Sequence, residues 1–307
     1  QFTYDKALTI NVNDVNEAPT DIALTASSVD ENLASGTVVG GLTTSDADNG
    51  NTFTYTLVGG GSDNDSFSIS GANLVTAAEL DFDTKNSYSV VIQTSDGSAT
   101  YSKILTITVN DVNEAPTDID LSATAVDENP TLGTIVGGLT TTDVDSGDTF
   151  TYTLVSGAGD TDNASFSISG ANLLTNTALD YETKSSYSIR IQTSDGTATY
   201  AKAFTINIVN VNDAPTDIIL SSNSINENVA TSTSIGILSS TDDDSGDTFT
   251  YTLISGTGAT DNTSFSISSA NLLTATTLDF ETKSSYSIRV QTSDGSATYS
   301  KTLTITV

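Results

Sequence analysis

The chain has 307 residues, with 39 acidic side chains against 9 basic ones, a formal net charge of −30, and no Cys, His, Met or Trp. That balance excludes nucleic acid as a partner, because phosphate binding runs through Lys and Arg, and an anionic membrane surface repels the chain. Without Cys or His there are no disulfide staples, none of the usual zinc, copper or iron–sulfur ligand sets, and no nucleophile–base pair built on either residue.

Residues 1–12 alternate apolar and polar side chains (F-T-Y-D-K-A-L-T-I-N-V) and read as a strand like Tyr101–Val109. They lack the charged start and apolar run of a signal peptide. They read as the last strand of a preceding repeat, either because the chain is a segment of a longer protein or because this strand pairs with the sheet edge of another subunit. No stretch of 18 apolar residues offers a transmembrane helix.

From residue 13 onward one phrase is written three times. T-F-T-Y closes at Tyr55, Tyr152 and Tyr251, 97 and 99 residues apart. That period is the size of a small independent domain, not of a solenoid unit. Proline-bearing phrases set the boundaries: D-V-N-E-A-P before Pro19 and Pro116, and N-V-N-D-A-P before Pro215. The predicted repeats are 13–110, 111–209 and 210–307, joined without Gly/Ser spacers.

Within each repeat the hydrophobic period is two. Phe150, Tyr152 and Leu154 alternate with threonines, and Tyr187, Ile189, Ile191 and Thr193 alternate with Ser188, Arg190 and Gln192. Leu105, Ile107 and Val109 close the first repeat in the same way. Such runs are half-buried strands. Turns fall at Asn49-Gly50, Asp96-Gly97, Ser146-Gly147 and Asp195-Gly196. About seven strands per repeat predict an all-β chain of tandem Greek-key β-sandwiches. The triplets beginning at Asn64, Asn163 and Asn262 have the form of glycosylation acceptors, but read better as a polar turn before S-F-S-I-S.

Acidic phrases recur in a fixed order. Glu31-Asn32, Glu128-Asn129 and Glu227-Asn228 open the repeats. Asp-x-Asp follows at Asp46/Asp48, Asp143/Asp145 and Asp242/Asp244. Leu-Asp-aromatic-acid gives Asp81/Asp83, Asp180/Glu182 and Asp279/Glu281, and Thr-Ser-Asp-Gly gives Asp96, Asp195 and Asp294. In extended chain Asp-x-Asp points both carboxylates to one face. Gathered carboxylates repel by about 1 kcal/mol per pair even in water. Ca²⁺ takes six to eight hard oxygen ligands of this kind, so the recurring set predicts a calcium protein.

These phrases resemble the cadherin repeat, with its x-E-N, D-x-D-x-G-x-N, L-D-x-E, late Asp and D-x-N-D-N-x-P linker, across 13–307. The Thr/Ser/Gly-rich, Cys-free composition is similar to bacterial cadherin-like repeats of large surface adhesins. The resemblance implies cadherin/Ig-like sandwiches arranged end to end, located extracellularly or at the cell surface, with Ca²⁺ at the junctions. It assigns Glu31, Asp81, Asp83, Asp111, Asn113, Glu114, Asp143, Asp145 and Asp195 to the first junction. The second takes Glu128, Asp180, Glu182, Asn210, Asn212, Asp213, Asp242, Asp244 and Asp294. Half-sites remain at Asp14, Asn16, Glu17, Asp46, Asp48 and Asp96, and at Glu227, Asp279 and Glu281. The linkers depart from the animal pattern in ending E-A-P or D-A-P.

Near-identity of the repeats favours a calcium-stiffened stalk supporting cell adhesion, with calcium and further repeats of the same chain as partners. Direct adhesion to like chains or cell-surface glycans, and a filament subunit assembled by strand pairing, are the alternatives. With no His and no G-x-S-x-G phrase on a strand-turn-helix, no enzyme is expected.

Overall fold

The structure is a computed structural model that describes all 307 residues. They divide into two compact units. One comprises residues 1–118 with 141–151 and 193–200, and the other residues 119–140, 152–192 and 201–307. Two loops of the second repeat, carrying Asp143, Asp145 and Asp195, thus belong to the unit that holds the first repeat.

The first repeat has eight strands: β1 (Asp21–Leu24), β2 (Ser28–Asp30), β3 (Val38–Ser45), β4 (Thr54–Leu57), β5 (Phe67–Ser70), β6 (Asn73–Thr76), β7 (Ser87–Ser95) and β8 (Thr100–Asn110). They form two sheets, β1-β3-β6-β5 and β2-β8-β7-β4. The predicted count of seven is exceeded because the opening strand is split. β1 pairs antiparallel with β3, and β2 pairs parallel with β8 in the opposite sheet. The split lets one segment close both sheets. Gly40 makes room for it: a Cβ there would lie 2.5 Å from the Ala26 carbonyl oxygen.

The second repeat repeats the plan with β9 (Asp118–Leu121), β10 (Ala125–Asp127), β11 (Ile135–Thr142), β12 (Thr151–Leu154), β13 (Phe166–Ser169), β14 (Asn172–Thr175), β15 (Ser186–Ser194) and β16 (Thr199–Val209). The third has seven strands: β17 (Asp217–Leu220), β18 (Ser234–Thr241), β19 (Thr250–Leu253), β20 (Phe265–Ser268), β21 (Asn271–Thr274), β22 (Ser285–Ser293) and β23 (Thr298–Thr306). Its counterpart of β2 is reduced to a single bridge between Ser224 and Thr306.

Alternation places one face of each strand inside. Ile22, Leu74, Ile92 and Ile107 are fully buried in the first core, and Ile218, Leu272, Ile288, Val290 and Ile305 in the third. Burying an Ile or Leu side chain contributes about 1.5–3 kcal/mol. The buried threonines are paired. Thr94 Oγ1 lies 2.7 Å from Thr44 Oγ1, and the pairs Thr193–Thr141 and Thr292–Ser240 repeat that distance. A buried hydroxyl left without a partner would be destabilising.

The Asn64, Asn163 and Asn262 triplets form one 3₁₀ turn each. The Asn64 amide donates to the Val58 carbonyl at 2.6 Å and accepts from the Val91 N–H at 3.0 Å. The asparagine is thus engaged in shaping the turn.

Residues 1–12 form no strand, and Phe2, Tyr4, Leu8, Ile10 and Val12 are fully exposed. The physical reason is pairing. β8 and β23 hydrogen-bond along β7 and β22, whereas residues 1–12 pair with no strand. No helix is long and apolar enough to cross a membrane.

Candidate metal centres

The buried glutamate of each Glu-Asn pair organises the first half of a site. Glu31 is only 3% exposed. Its Oε2 accepts from the Phe82 N–H at 2.6 Å and its Oε1 from the Val112 N–H at 2.9 Å. One carboxylate therefore ties the L-D-F-D loop to the linker. Glu128 does the same with Tyr181 at 2.8 Å and Val211 at 2.7 Å. The following Asn32 adopts φ 58°, and Asn129 φ 52°. Asn tolerates this left-handed geometry better than most residues, and the turn swings its amide toward the linker acid. Asn32 Nδ2 donates to Glu114 Oε1, and Asn129 Nδ2 to Asp213 Oδ1 at 2.8 Å.

The linker meets the second half through its backbone. The Glu114 N–H donates to Asp145 Oδ2 at 2.7 Å, the Asp213 N–H to Asp244 Oδ2 at 2.6 Å, and the Glu17 N–H to Asp48 Oδ2 at 2.7 Å. The linker asparagines reach the late aspartates. Asn113 Nδ2 donates to Asp195 Oδ2 at 3.2 Å, Asn212 to Asp294 at 3.2 Å, and Asn16 to Asp96 at 3.1 Å.

Oxygens from Glu31, Asp81 and Asp83 come within 4.8 Å of one another, as do those of Asp83, Glu114 and Asp145, and of Asp143, Asp148 and Asp195. A small cavity of about 180 Å³ is lined by Glu31, Asn32, Asp81, Asp83, Glu114 and Val144. In the second unit Glu128, Asp180 and Glu182 gather in the same way, and Asn210 Nδ2 donates to Glu182 Oε1 at 3.0 Å. At the first half-site Asp14, Glu17 and Asp48 converge, and the Asp46 carboxylate accepts from the Asp48 N–H at 3.0 Å. Glu227, Asp279 and Glu281 form the upper half of a third set. Glu227 accepts from the Phe280 N–H at 3.2 Å, and Asp279 from the Glu281 N–H at 3.1 Å.

The charges are crowded. Desolvation, then Glu31 and Asp145, push Asp83 and Glu114 above the usual carboxylate range. Asp111 is raised by desolvation and by Asp145 and Asp83, and Asp213 by desolvation, Glu128 and Asp244. Other members are held low by local donors. Asp195 is lowered by the Ala198 and Thr197 N–H groups, and Asp81 by the Thr84 hydroxyl and N–H.

The buried side-chain atoms without a hydrogen-bond partner include Asp46 Oδ2, Asn51 Nδ2, Glu114 Oε2, Asp143 Oδ2, Asp145 Oδ1, Asp148 Oδ2, Asp242 Oδ2 and Asp247 Oδ2. Asp46, Glu114, Asp143, Asp145 and Asp148 belong to the clusters just described, and Asp247 lies in the field of Asp244, Asp242 and Asp294. Buried polar atoms are normally satisfied. Converging, orphaned carboxylate oxygens beside Asn amides are the donor chemistry of a hard divalent cation, so the residues fit Ca²⁺. Asn51, Asp148 and Asp247 lie outside the acidic phrases recognised in the sequence. A polar residue follows the glycine in every D-x-D-x-G phrase, and that periodicity was the available signal. A larger groove of about 840 Å³ beside β4 and β5 is lined by Phe53, Tyr55, Leu57, Phe67 and Ile69 and holds no carboxylate.

Split-strand sandwiches with clustered acids at the linkers define a tandem β-sandwich protein with candidate cation sites. The Cadherin domain family matches residues 25–110 and 221–307, and the chain belongs to that family. It is 30% identical over 303 residues to mouse Protocadherin Fat 4, covering 93% of this chain and 6% of that protein. Among solved structures, mouse Protocadherin-24 EC1-3 superposes with a TM-score of 0.66 at 21% identity, over 99% of this chain and 100% of that one. The Protocadherin GammaB4 extracellular domain gives 0.62 at 25% identity, over 96% of this chain and 50% of that one. The chain thus consists of extracellular cadherin repeats and spans 6% of the length of Protocadherin Fat 4.

Proposed function

We propose that the chain is a calcium-rigidified stalk segment of a large surface adhesin, built of repeats 13–110, 111–209 and 210–307. Residues 1–12 belong to the last strand of a preceding repeat. The Cys-free, Thr/Ser/Gly-rich composition supports an adhesin of the bacterial cadherin-like type. The convergence of Glu31, Asp83, Glu114 and Asp145 with orphaned buried oxygens carries the reading. Calcium neutralises carboxylates that otherwise repel, and so holds the linker to the loops on either side of it. The nine residues named above for each junction supply the ligands.

Isothermal titration calorimetry of the chain tests this. At least one calcium ion per junction is expected, with affinity between about micromolar and millimolar, as in extracellular modules. Absence of calcium-dependent heat overturns the proposal. Sedimentation in calcium separates the alternatives. A stalk stays monomeric with rising concentration, whereas a homophilic adhesin or a strand-paired filament associates.

A further inference from the structure

The residue after the glycine in each D-x-D-x-G loop stands apart from the acids so far given a role. It is Asn51 in the first repeat, Asp148 in the second and Asp247 in the third. Gly147 and Gly246 take φ 106° and 101°, so the chain doubles back just before it. In the second repeat this brings an Asp148 oxygen within 4.8 Å of oxygens from both Asp143 and Asp195.

A turn-forming aspartate satisfies its oxygens with nearby N–H groups. Asp195 does so. Its Oδ1 accepts from Thr197 and Ala198, each at 2.6 Å. Asp148 does not, because its Oδ2 is buried and has no donor, and Asp247 Oδ2 is in the same state. The facing Asp143 Oδ2 and Asp242 Oδ2 are orphaned as well. No basic side chain hydrogen-bonds to these oxygens. Lys85, Lys103, Lys184, Lys283 and Lys301 are engaged with Asp63, Asp21, Asp162, Asp261 and Asp217.

We infer that Asp148 and Asp247 are additional calcium ligands, each supplying a carboxylate oxygen to an ion shared with Asp143/Asp195 or with Asp242/Asp294. Asn51 is their neutral counterpart at the first loop. The inference rests on the calcium reading and extends its ligand set to a position that the family motif leaves unspecified. It also ranks the loops. Two carry three carboxylates each (Asp143, Asp148, Asp195 and Asp242, Asp247, Asp294). The first carries two and an amide (Asp46, Asp96, Asn51). Ligand charge is a main determinant of calcium affinity, so the first loop binds its ion more weakly.

The experiment is calcium titration by calorimetry of the full chain and of Asp148→Asn, Asp247→Asn and Asn51→Asp. Circular dichroism in chelator verifies an unchanged fold. Each Asp→Asn change should weaken one binding step by on the order of 10-fold, and Asn51→Asp should strengthen a weak one. Titrations of all three variants that superpose on the wild type overturn this inference and leave the calcium reading intact. A wild-type chain that takes up no calcium overturns the calcium reading, and this ligand assignment with it.

Discussion

Glu31 Oε1 accepts the Val112 N–H at 2.9 Å, joining the opening of a repeat to the linker that closes it some 80 residues later. The other oxygen holds Phe82, so one buried side chain ties its own segment to two of the other four that carry candidate first-junction ligands. Glu128 and Val211 repeat the relationship at 2.7 Å. The glutamate is therefore both a carboxylate of the site and the pin that positions the site.

Removing that pin should affect the fold as well as calcium. In Glu31→Ala the Phe82 and Val112 N–H groups lose their acceptor. A buried donor left unsatisfied costs roughly 1–3 kcal/mol. Thermal unfolding in chelator should show this loss in the first repeat, and calcium should recover less stability than in the wild type. Equal melting in chelator would mean that water replaces Glu31 without cost.

The two junctions differ at Asp111 and Asn210. Asp111 sits among Asp145, Asp83 and Glu31, whereas Asn210 donates to Glu182. Asp243, standing where the loop of the first junction has Val144, adds its field at Asp213. It restores the charge without occupying the linker position. Asn210→Asp should tighten the second junction's weakest step by on the order of 3–10-fold, and Asp111→Asn should loosen the first junction, because ligand charge tunes affinity. A calcium titration unchanged by Asn210→Asp removes position 210 from the ligand set.

Each repeat also carries a Lys–Asp–Tyr group away from the candidate metal centres. Lys85 pairs with Asp63 and lies 4.8 Å from the centre of the Tyr88 ring, and Asp63 accepts the Ser89 N–H at 2.7 Å. Lys85 and the Ser89 N–H hold Asp63 below the usual carboxylate range. For Asp162 and Asp261 burial acts the other way, but Lys184 or Lys283 and the backbone donor outweigh it. A carboxylate with a lowered folded pKa contributes stability above its unfolded value of about 3.9, and loses it as pH falls through the folded value. The triple change Asp63→Asn, Asp162→Asn, Asp261→Asn should lower melting at pH 7, by about 1 kcal/mol per repeat. It should also flatten the acid limb below about pH 4. Parallel wild-type and variant profiles, recorded in chelator, would count against these pairs.

Gly137 repeats the close approach seen at Gly40. A Cβ there would lie 2.9 Å from the backbone N and O of Ala123. Gly137→Ala should destabilise its sandwich by roughly 1–3 kcal/mol through displacement of that segment. The substitution leaves every acidic residue in place, so calcium affinity of the folded chain should hold. Unfolding and calorimetry on the same variant check both statements.

Period-two alternation sufficed to fix the fold class, because inward positions such as Ile189, Ile191 and Thr193 need only local geometry to share a face. The order of the acidic phrases likewise marked most of the carboxylates that the structure gathers into clusters. Residues far apart in sequence decided the rest. That Glu31 is buried, with both oxygens already held by backbone donors, follows from the meeting of three segments separated by 50 and 80 residues. The split of the opening strand depends on room over Gly40, which only the packed sheets define. Residues 1–12 have the alternation of a strand and form none, since a strand is completed by a neighbour and alternation does not supply one. Asp148 looks in sequence like any polar turn residue. Only the reversal at Gly147, which buries its oxygen against Asp143 without a donor, sets it apart, because an unsatisfied carboxylate is a property of its surroundings and not of its own residue type.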